Sequence, residues 1–261
     1  MDHNHGKLPR IALGIEYDGS DFAGWETQKQ GRTVQSCVEQ ALSKVADSPI
    51  RVVCAGRTDA GVHAQGQVVH FETDVLRENR AWVYGTNANL PRDVSILWAR
   101  DAPGEFHARF SARSRSYRYR ILNRPVRPAL LRNRFAWECR TLSTDRMQAG
   151  ADYLLGEHDF SAFRSSGCQA ASPVRTIHHL QVTRHGEHIH VDVVANAFLH
   201  HMVRNIVGVL LAIGLGKREP AWAARVLANR DRTQAGITAP AQGLCLMEVR
   251  YPEHFRIPSI P

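Results

Sequence analysis

Ile11-Ala12-Leu13-Gly14-Ile15-Glu16-Tyr17 places large apolar side chains at every second position, with small or charged residues between them. That two-residue period is expected of a half-buried β-strand, because successive side chains in a strand point to opposite faces. Asp18-Gly19-Ser20 ends the strand as a turn. Thr33 can then cap a helix whose apolar positions, Val34, Cys37, Val38, Ala41, Leu42 and Val45, recur on one helical face. Arg51 to Cys54 and Gln67 to Phe71 look like two strands bracketing a loop over residues 55–65. The first stretch of the chain therefore has β-α-β-β character.

A second unit with the same plan follows. Ser116-Tyr117-Arg118-Tyr119-Arg120-Ile121 alternates strictly, with Tyr117, Tyr119 and Ile121 on one face and the arginines on the other. Residues 142–155 are expected to form a helix. Residues 176–183 and 188–195 form a hairpin pattern around Arg184-His185-Gly186-Glu187. Residues 199–215 read as a buried helix, 221–228 as another, and 244–250 as a closing strand. The expected fold class is α+β: two units, residues 1–106 and 107–261, with antiparallel sheets side by side, helices on one face and a basic cleft between them.

The charge pattern narrows the partners. The chain has 261 residues and a formal net charge of +8, with a pI near 9.6. Between residues 100 and 140 stand eleven arginines against three acids, so this one segment carries as much net charge as the whole chain. Only four of the 33 basic residues are lysine, and the planar guanidinium fork of arginine suits phosphate oxygens and stacks on bases. A polyanion such as nucleic acid is the expected partner. The five cysteines are widely spaced, odd in number and without a C-x-x-C pair, which points to a reducing compartment. Residues 1–10 lack the apolar core of a signal peptide. The longest apolar run, residues 206–215, is about half of what a membrane span needs. The expected location is cytoplasmic, with no membrane association.

The chemistry concentrates in Cys54-Ala55-Gly56-Arg57-Thr58-Asp59-Ala60-Gly61-Val62-His63-Ala64-Gln65-Gly66-Gln67. Glycines frame Arg57-Thr58-Asp59, so the backbone can bend there and hold a short acidic side chain away from the packed sheets. Arg57, two residues before Asp59, supplies a positive charge that keeps a carboxylate ionised and able to act as nucleophile or base. Taken alone, Asp59-Ala60-Gly61 reads first as an ordinary surface turn, with Asp there for local backbone hydrogen bonding.

The longer string resembles the signature loop of the TruA family of tRNA pseudouridine synthases. Further motifs resemble that family in the same order: residues 17–25 (YDGSDFAGW), 106–112 (FHARFSA), 116–119 (SYRY), 156–160 (GEHDF) and 198–205 (FLHHMVRN). The resemblance implies the pseudouridine synthase fold of two ferredoxin-like (RRM-like) units and an isomerase that uses no cofactor. It implies Asp59 as nucleophile, Tyr117 as the ring that stacks on uracil and assists loss of the C5 proton, and Arg57 and Arg204 as flanking guanidinium groups. Arg204 sits in an otherwise apolar helix, where a charge must be paired or reach a cleft. The implied substrate is the 3′ side of the tRNA anticodon stem-loop, at positions 38, 39 and 40, and the implied assembly is a homodimer. Arg109, Arg113, Arg115, Arg118 and Arg120 are expected to line the groove that holds RNA.

Two other classes compete. A non-catalytic RNA-binding module explains the charge and the alternating strands, but it does not need Asp59 set between two arginines. A metallohydrolase is suggested only by the fourteen histidines. His178-His179, His188 with His190, and His200-His201 are the candidate ligands, His200 and His201 being expected on different sides of a helix. Zinc sites require three or four convergent ligands, and no H-E-x-x-H or Cys/His pattern occurs. No metal is expected, and His63 is expected to support the signature loop.

Overall fold

In the computed structural model, which describes residues 8–258, β1 (Arg10–Tyr17) is buried on both faces instead of one. Ala12, Leu13 and Ile15 are all fully buried. The alternation in this strand is between large and small residues, and the small ones lie under a second layer. A Cβ added at Gly14 would stand 2.1 Å from the indole nitrogen of Trp98, which covers that face.

The chain divides into two units, Met1–Arg113 with Met247–Pro261, and Ser114–Leu246. The first contains β1, α1 (Val34–Ala46), β2 (Val53–Cys54), β3 (His63–Glu72), α2 (Asn79–Asn89) and β4 (Val94–Ala102). Its strands run in the order β4-β1-β3, all antiparallel, with β2 paired to β3. Thr33 caps α1 by accepting the Ser36 N–H, as its position predicts. Strand β3 begins at His63, so the loop between β2 and β3 is three residues shorter than expected.

The second unit contains β5 (Ser114–Asn123), β6 (Ala136–Glu138), α3 (Thr144–Ala151), β7 (Gly156–Asp159), β8 (Val174–His185), β9 (His188–Ala195), α4 (Met202–Gly214) and α5 (Trp222–Asn229). Its strands run β5-β9-β8-β7, antiparallel, and β6 adds to β5 in parallel. The last strand, β10 (Leu244–Arg250), begins in the second unit and ends in the first. The α+β class with antiparallel sheets is thus the observed one. The expected hairpin is β8–β9, closed at Gly186-Glu187. Helix α4 starts at Met202 because His201 adopts a left-handed φ of 62°. His200 and His201 therefore precede the helix, their rings stacked at 4.0 Å, and do not project from its opposite sides.

The division of the chain falls after Arg113, not after residue 106, and the C-terminal stretch returns to the first unit. Packing explains both differences. Phe106 is fully buried and meets Tyr251 at 5.0 Å and Phe255 at 5.3 Å, edge to face. Tyr251 donates its hydroxyl to the Ala108 carbonyl at 2.7 Å. Phe106, Ala108 and, through its N–H on the Arg250 carbonyl at 2.8 Å, Arg113 are therefore tied to the first unit by residues 250–255. No described helix is long and apolar enough to cross a membrane.

His70 anchors the same turn. Its ring is buried, and Nδ1 accepts the Ala108 N–H at 3.1 Å. Burial, aided by the positive charge of Arg10, pushes its pKa from 6.5 to about 4. The folded pKa lies below the unfolded one, so between these values the unfolded chain takes up a proton that the folded chain refuses. Stability from this site is complete above pH 6.5 and declines as pH falls towards 4. Urea midpoints should accordingly drop across this window. His70→Gln, which keeps an acceptor without a titrating ring, should flatten that drop, and an unaltered slope would rule out His70 as its source.

Candidate active site

The loop carrying Asp59 is assembled from both sides. At its start, Ala55 donates its N–H to the Val68 carbonyl at 2.8 Å, continuing the β2–β3 pairing. Gln67, fully buried in β3, donates Nε2 to the Gly56 carbonyl at 2.6 Å. The buried hydroxyls of Tyr17 and Thr58 are hydrogen-bonded at 2.8 Å, which ties the loop to the end of β1. A tight turn follows, closed by the Val62 N–H on the Asp59 carbonyl at 3.1 Å, with Gly61 at a φ of 76°. The main chain of Asp59 makes this turn, so the turn itself does not require its carboxylate. Asp59 is half-buried.

A second loop, residues 18–25, lies directly on the first. Trp25 donates its N–H to the Thr58 carbonyl at 3.0 Å. At Gly24, with a φ of 111°, a Cβ would stand 2.9 Å from the Thr58 oxygen and 3.3 Å from the Asp59 carbonyl carbon. At Gly19 it would stand 2.0 Å from the Val62 oxygen. The two loops touch backbone to backbone, and any side chain at either glycine would force them apart. His63, 1% exposed, completes the clamp by accepting the Gly19 N–H on Nδ1 at 3.1 Å. The same Nδ1 stands 3.1 Å from the Asp18 carboxylate, so the ring meets the turn after β1 at two points. His63 thus supports the loop, as expected.

Around this clamp lie the charged groups. Arg57 forms an ion pair with Glu26 at 2.6 Å, a partner that sequence reasoning did not identify. Burial pushes the Cys54 thiol up to about 12, against the opposing pull of Arg57 and Arg109, so this cysteine is an inert structural thiol. Arg109 and Arg113 are exposed.

The remaining expected residues belong to the second unit. Tyr117 is 8% exposed and meets Phe198 edge to face at 5.0 Å. Tyr119, on the same face, donates its hydroxyl to the Pro240 carbonyl at 2.7 Å. Arg204 donates Nε to the Ala239 carbonyl at 2.8 Å, near the start of α4. Arg115 is 9% exposed and donates to the Asn196 carbonyl at 2.9 Å. Arg118 points to the opposite sheet face from Tyr117 and holds Asp192 with two hydrogen bonds, 2.7 and 3.2 Å long. Arg120 shares that face, opposite His190. His190 itself faces His185 at 5.7 Å, and His188 stacks on Phe135 at 4.8 Å.

Comparison with known proteins places this arrangement. The family model described as tRNA pseudouridine synthase matches residues 14–111 and 151–252. The chain belongs to the tRNA pseudouridine synthase family. A tRNA pseudouridine synthase A of Methylococcus capsulatus is 58% identical over 246 residues, covering 94% of this chain and 91% of that one. The protein of that name from Nitrosococcus oceani is 57% identical, covering 96% and 97%, and that of Coxiella burnetii is 54% identical, covering 97% of each.

Family membership makes this chain an isomerase acting on tRNA. Residues 17–25 were recognisable as a motif, but the roles of Gly19 and Gly24 appear only when the facing backbone is seen. A pseudouridine synthase with Gly24→Ala should lose about 1–3 kcal/mol of stability through backbone strain and overpacking. The readout is a lower urea midpoint at constant denaturant slope. A midpoint equal to that of the parent chain would mean that the two loops are not in this contact.

Proposed function

We propose that the chain converts uridine to pseudouridine on the 3′ side of the tRNA anticodon stem-loop, with Asp59 as nucleophile. The observation that carries this reading is the rigid backing of one half-buried aspartate inside the family's signature loop. Catalytic groups must be held within a fraction of an ångström, and a loop achieves this only when its backbone is locked. In the reaction the N1–C1′ bond breaks, the uracil turns, and a C5–C1′ bond forms. The proton on C5 is lost and N1 gains one, so mass and redox state are unchanged.

Arg57 and Arg204 are the proposed guanidinium partners of the Asp59 carboxylate. Tyr117 is the proposed ring beneath the extruded uracil, and its edge contact with Phe198 supports that role by fixing the ring plane. Arg109 and Arg113 are the favoured phosphate contacts, because they are exposed. Arg115 and Arg118 remain proposed groove residues, although part of each guanidinium is engaged by Asn196 and Asp192. The proposed location is cytoplasmic, supported by the widely spaced, odd-numbered cysteines, and the proposed assembly is a homodimer, as the family resemblance implies.

Asp59→Asn and Asp59→Ala should bind tRNA with nearly the parent affinity and form no pseudouridine, as read by mass spectrometry or carbodiimide mapping. Residual turnover by Asp59→Ala would refute the nucleophile assignment. Neutralising Arg109 and Arg113 together should lower the log–log salt slope of tRNA binding by about one to two, because each phosphate contact releases roughly one counterion.

A further inference from the structure

Phe110 is the most exposed aromatic side chain among the described residues, with 76% of its surface open to solvent. A single exposed apolar side chain is ordinary in a folded protein. The construction beneath this one is not. Phe110 lies at the end of a turn, residues 106–111, whose backbone is pinned at nearly every position. Nδ1 of His107 accepts two N–H groups, those of Arg109 and Phe110, each at 3.2 Å. His107 and Ser111 exchange two further hydrogen bonds, each 2.9 Å long. Ala108 is held on both sides, its N–H by His70 and its carbonyl by Tyr251. Phe106 is locked in the core below.

This scaffolding fixes a layered π surface. The His107 ring lies 4.3 Å from the Phe110 ring at an interplanar angle of 31°. The Arg109 guanidinium stands 5.5 Å from the Phe110 ring centre. Phenylalanine has no polar atom that gains from contact with water, unlike the exposed tyrosines Tyr84 and Tyr153. A rigid hydrocarbon ring held in water, flanked by an imidazole and a guanidinium, is suited to a flat, electron-rich, anionic partner.

The position of the turn points the same way. His70, which holds Ala108, pairs across the strands with Val53, and the next pair is Cys54 with Val69. Cys54 opens the signature loop. The Cys54 thiol feels the charges of both Arg57 and Arg109, which sets Arg109 at the same end of the first unit as the Asp59 loop.

We propose that Phe110 is a base-stacking platform: an unpaired base of the RNA substrate lies on its exposed side, with Arg109 meeting the adjoining phosphate. This rests on the reading of the chain as a tRNA-modifying enzyme and adds a binding residue to it. The partner is an RNA base and not a second protein surface, because the flanking groups are cationic or aromatic and a phosphate-linked base satisfies both. Stacking of one base on one ring tolerates any base, so the platform confers affinity without sequence choice.

The test compares Phe110→Ala, Phe110→Leu, Phe110→Tyr and Phe110→Trp for binding to bulk tRNA by filter retention at fixed salt. Phe110→Ala and Phe110→Leu should raise Kd by roughly tenfold, the scale of one lost base stack. Phe110→Tyr and Phe110→Trp should stay within about threefold of the parent, since a π face remains. Thermal unfolding should be unchanged in all four, because the ring packs against little of the core. Leucine is the deciding variant. It matches phenylalanine in apolarity but has no ring, so a Phe110→Leu protein that binds like the parent overturns the proposal. Sedimentation of Phe110→Ala covers the alternative partner. A change of oligomeric state with unchanged tRNA affinity assigns the ring to a protein contact and equally overturns it. Affinity is read apart from turnover, so a failure of Asp59 as nucleophile would show in the pseudouridine assay and leave these comparisons intact.

Discussion

Residues 19–24 press against residues 58–62 with nothing but backbone between them, and much of the first unit is arranged around that contact. A loop in water samples many conformations, and freezing each residue costs about 1–2 kcal/mol. Here the cost is offset by neighbours that are themselves immobile. Tyr17 reaches Thr58 from the end of a strand buried on both faces. Gln67 reaches Gly56 from β3. The first turn of α1 joins the same assembly, since Val34 and Gln35 donate their N–H groups to the carbonyls of Gly24 and Trp25. Strand, helix and loop are thereby coupled, and a displacement of any one would be felt at Asp59.

Charge counting gives a coarser picture than charge placement. The arginine-rich segment carries the whole formal excess of the chain, yet many of its guanidinium groups already serve the fold. Arg115 braces the Asn196 carbonyl from a buried position. Arg118 holds Asp192, Arg124 approaches Glu187, and Arg140 grips Glu138. Such exposed or half-exposed pairs add little stability individually, but each takes up part of a charge that could otherwise meet phosphate. Strand alternation divides the segment further, because Arg118 and Arg120 cannot share a face with Tyr117. The formal charge of the segment therefore overstates the number of guanidinium groups that can turn to RNA.

The elements that could be read from the chain are those whose signals are local. The Thr33 cap and the apolar stripe after it, the β8–β9 hairpin, and the strand over residues 244–250 all announce themselves within a few residues. Helix α2 and strand β4 do not. α2 contains Gly85 and three asparagines, has no side-chain cap, and buries only Trp82 and Thr86, so its periodicity is too faint to see. β4 ends in Ala99-Arg100-Asp101-Ala102 with little apolar character. The unit boundary was hidden for a different reason: the contacts of Phe106 with Tyr251 and Phe255 span more than 140 positions of sequence, and no local pattern reports them. At the candidate site the chemically distinctive residues were visible, whereas Glu26, Gln67 and the two contact glycines act through partners remote in sequence.

Tyr117 and Tyr119 show how packing separates residues that sequence presents as equivalents. They sit two positions apart on one face of β5, so periodicity alone cannot assign them different work. Tyr119 is fully buried, its hydroxyl is committed to the Pro240 carbonyl, and a Cβ at Gly243 would stand 2.7 Å from its ring. Burial also drives its phenol well above the usual range, which disfavours the phenolate a proton-accepting role would need. Tyr119 is a core residue with a satisfied hydrogen bond. Tyr117 has a different surrounding: an edge contact with Phe198 on a loop that leads into α4, the helix carrying Arg204. The strand thus commits one ring wholly to the core and sets the other against a different loop, and the difference between the two tyrosines lies in which segment each one meets.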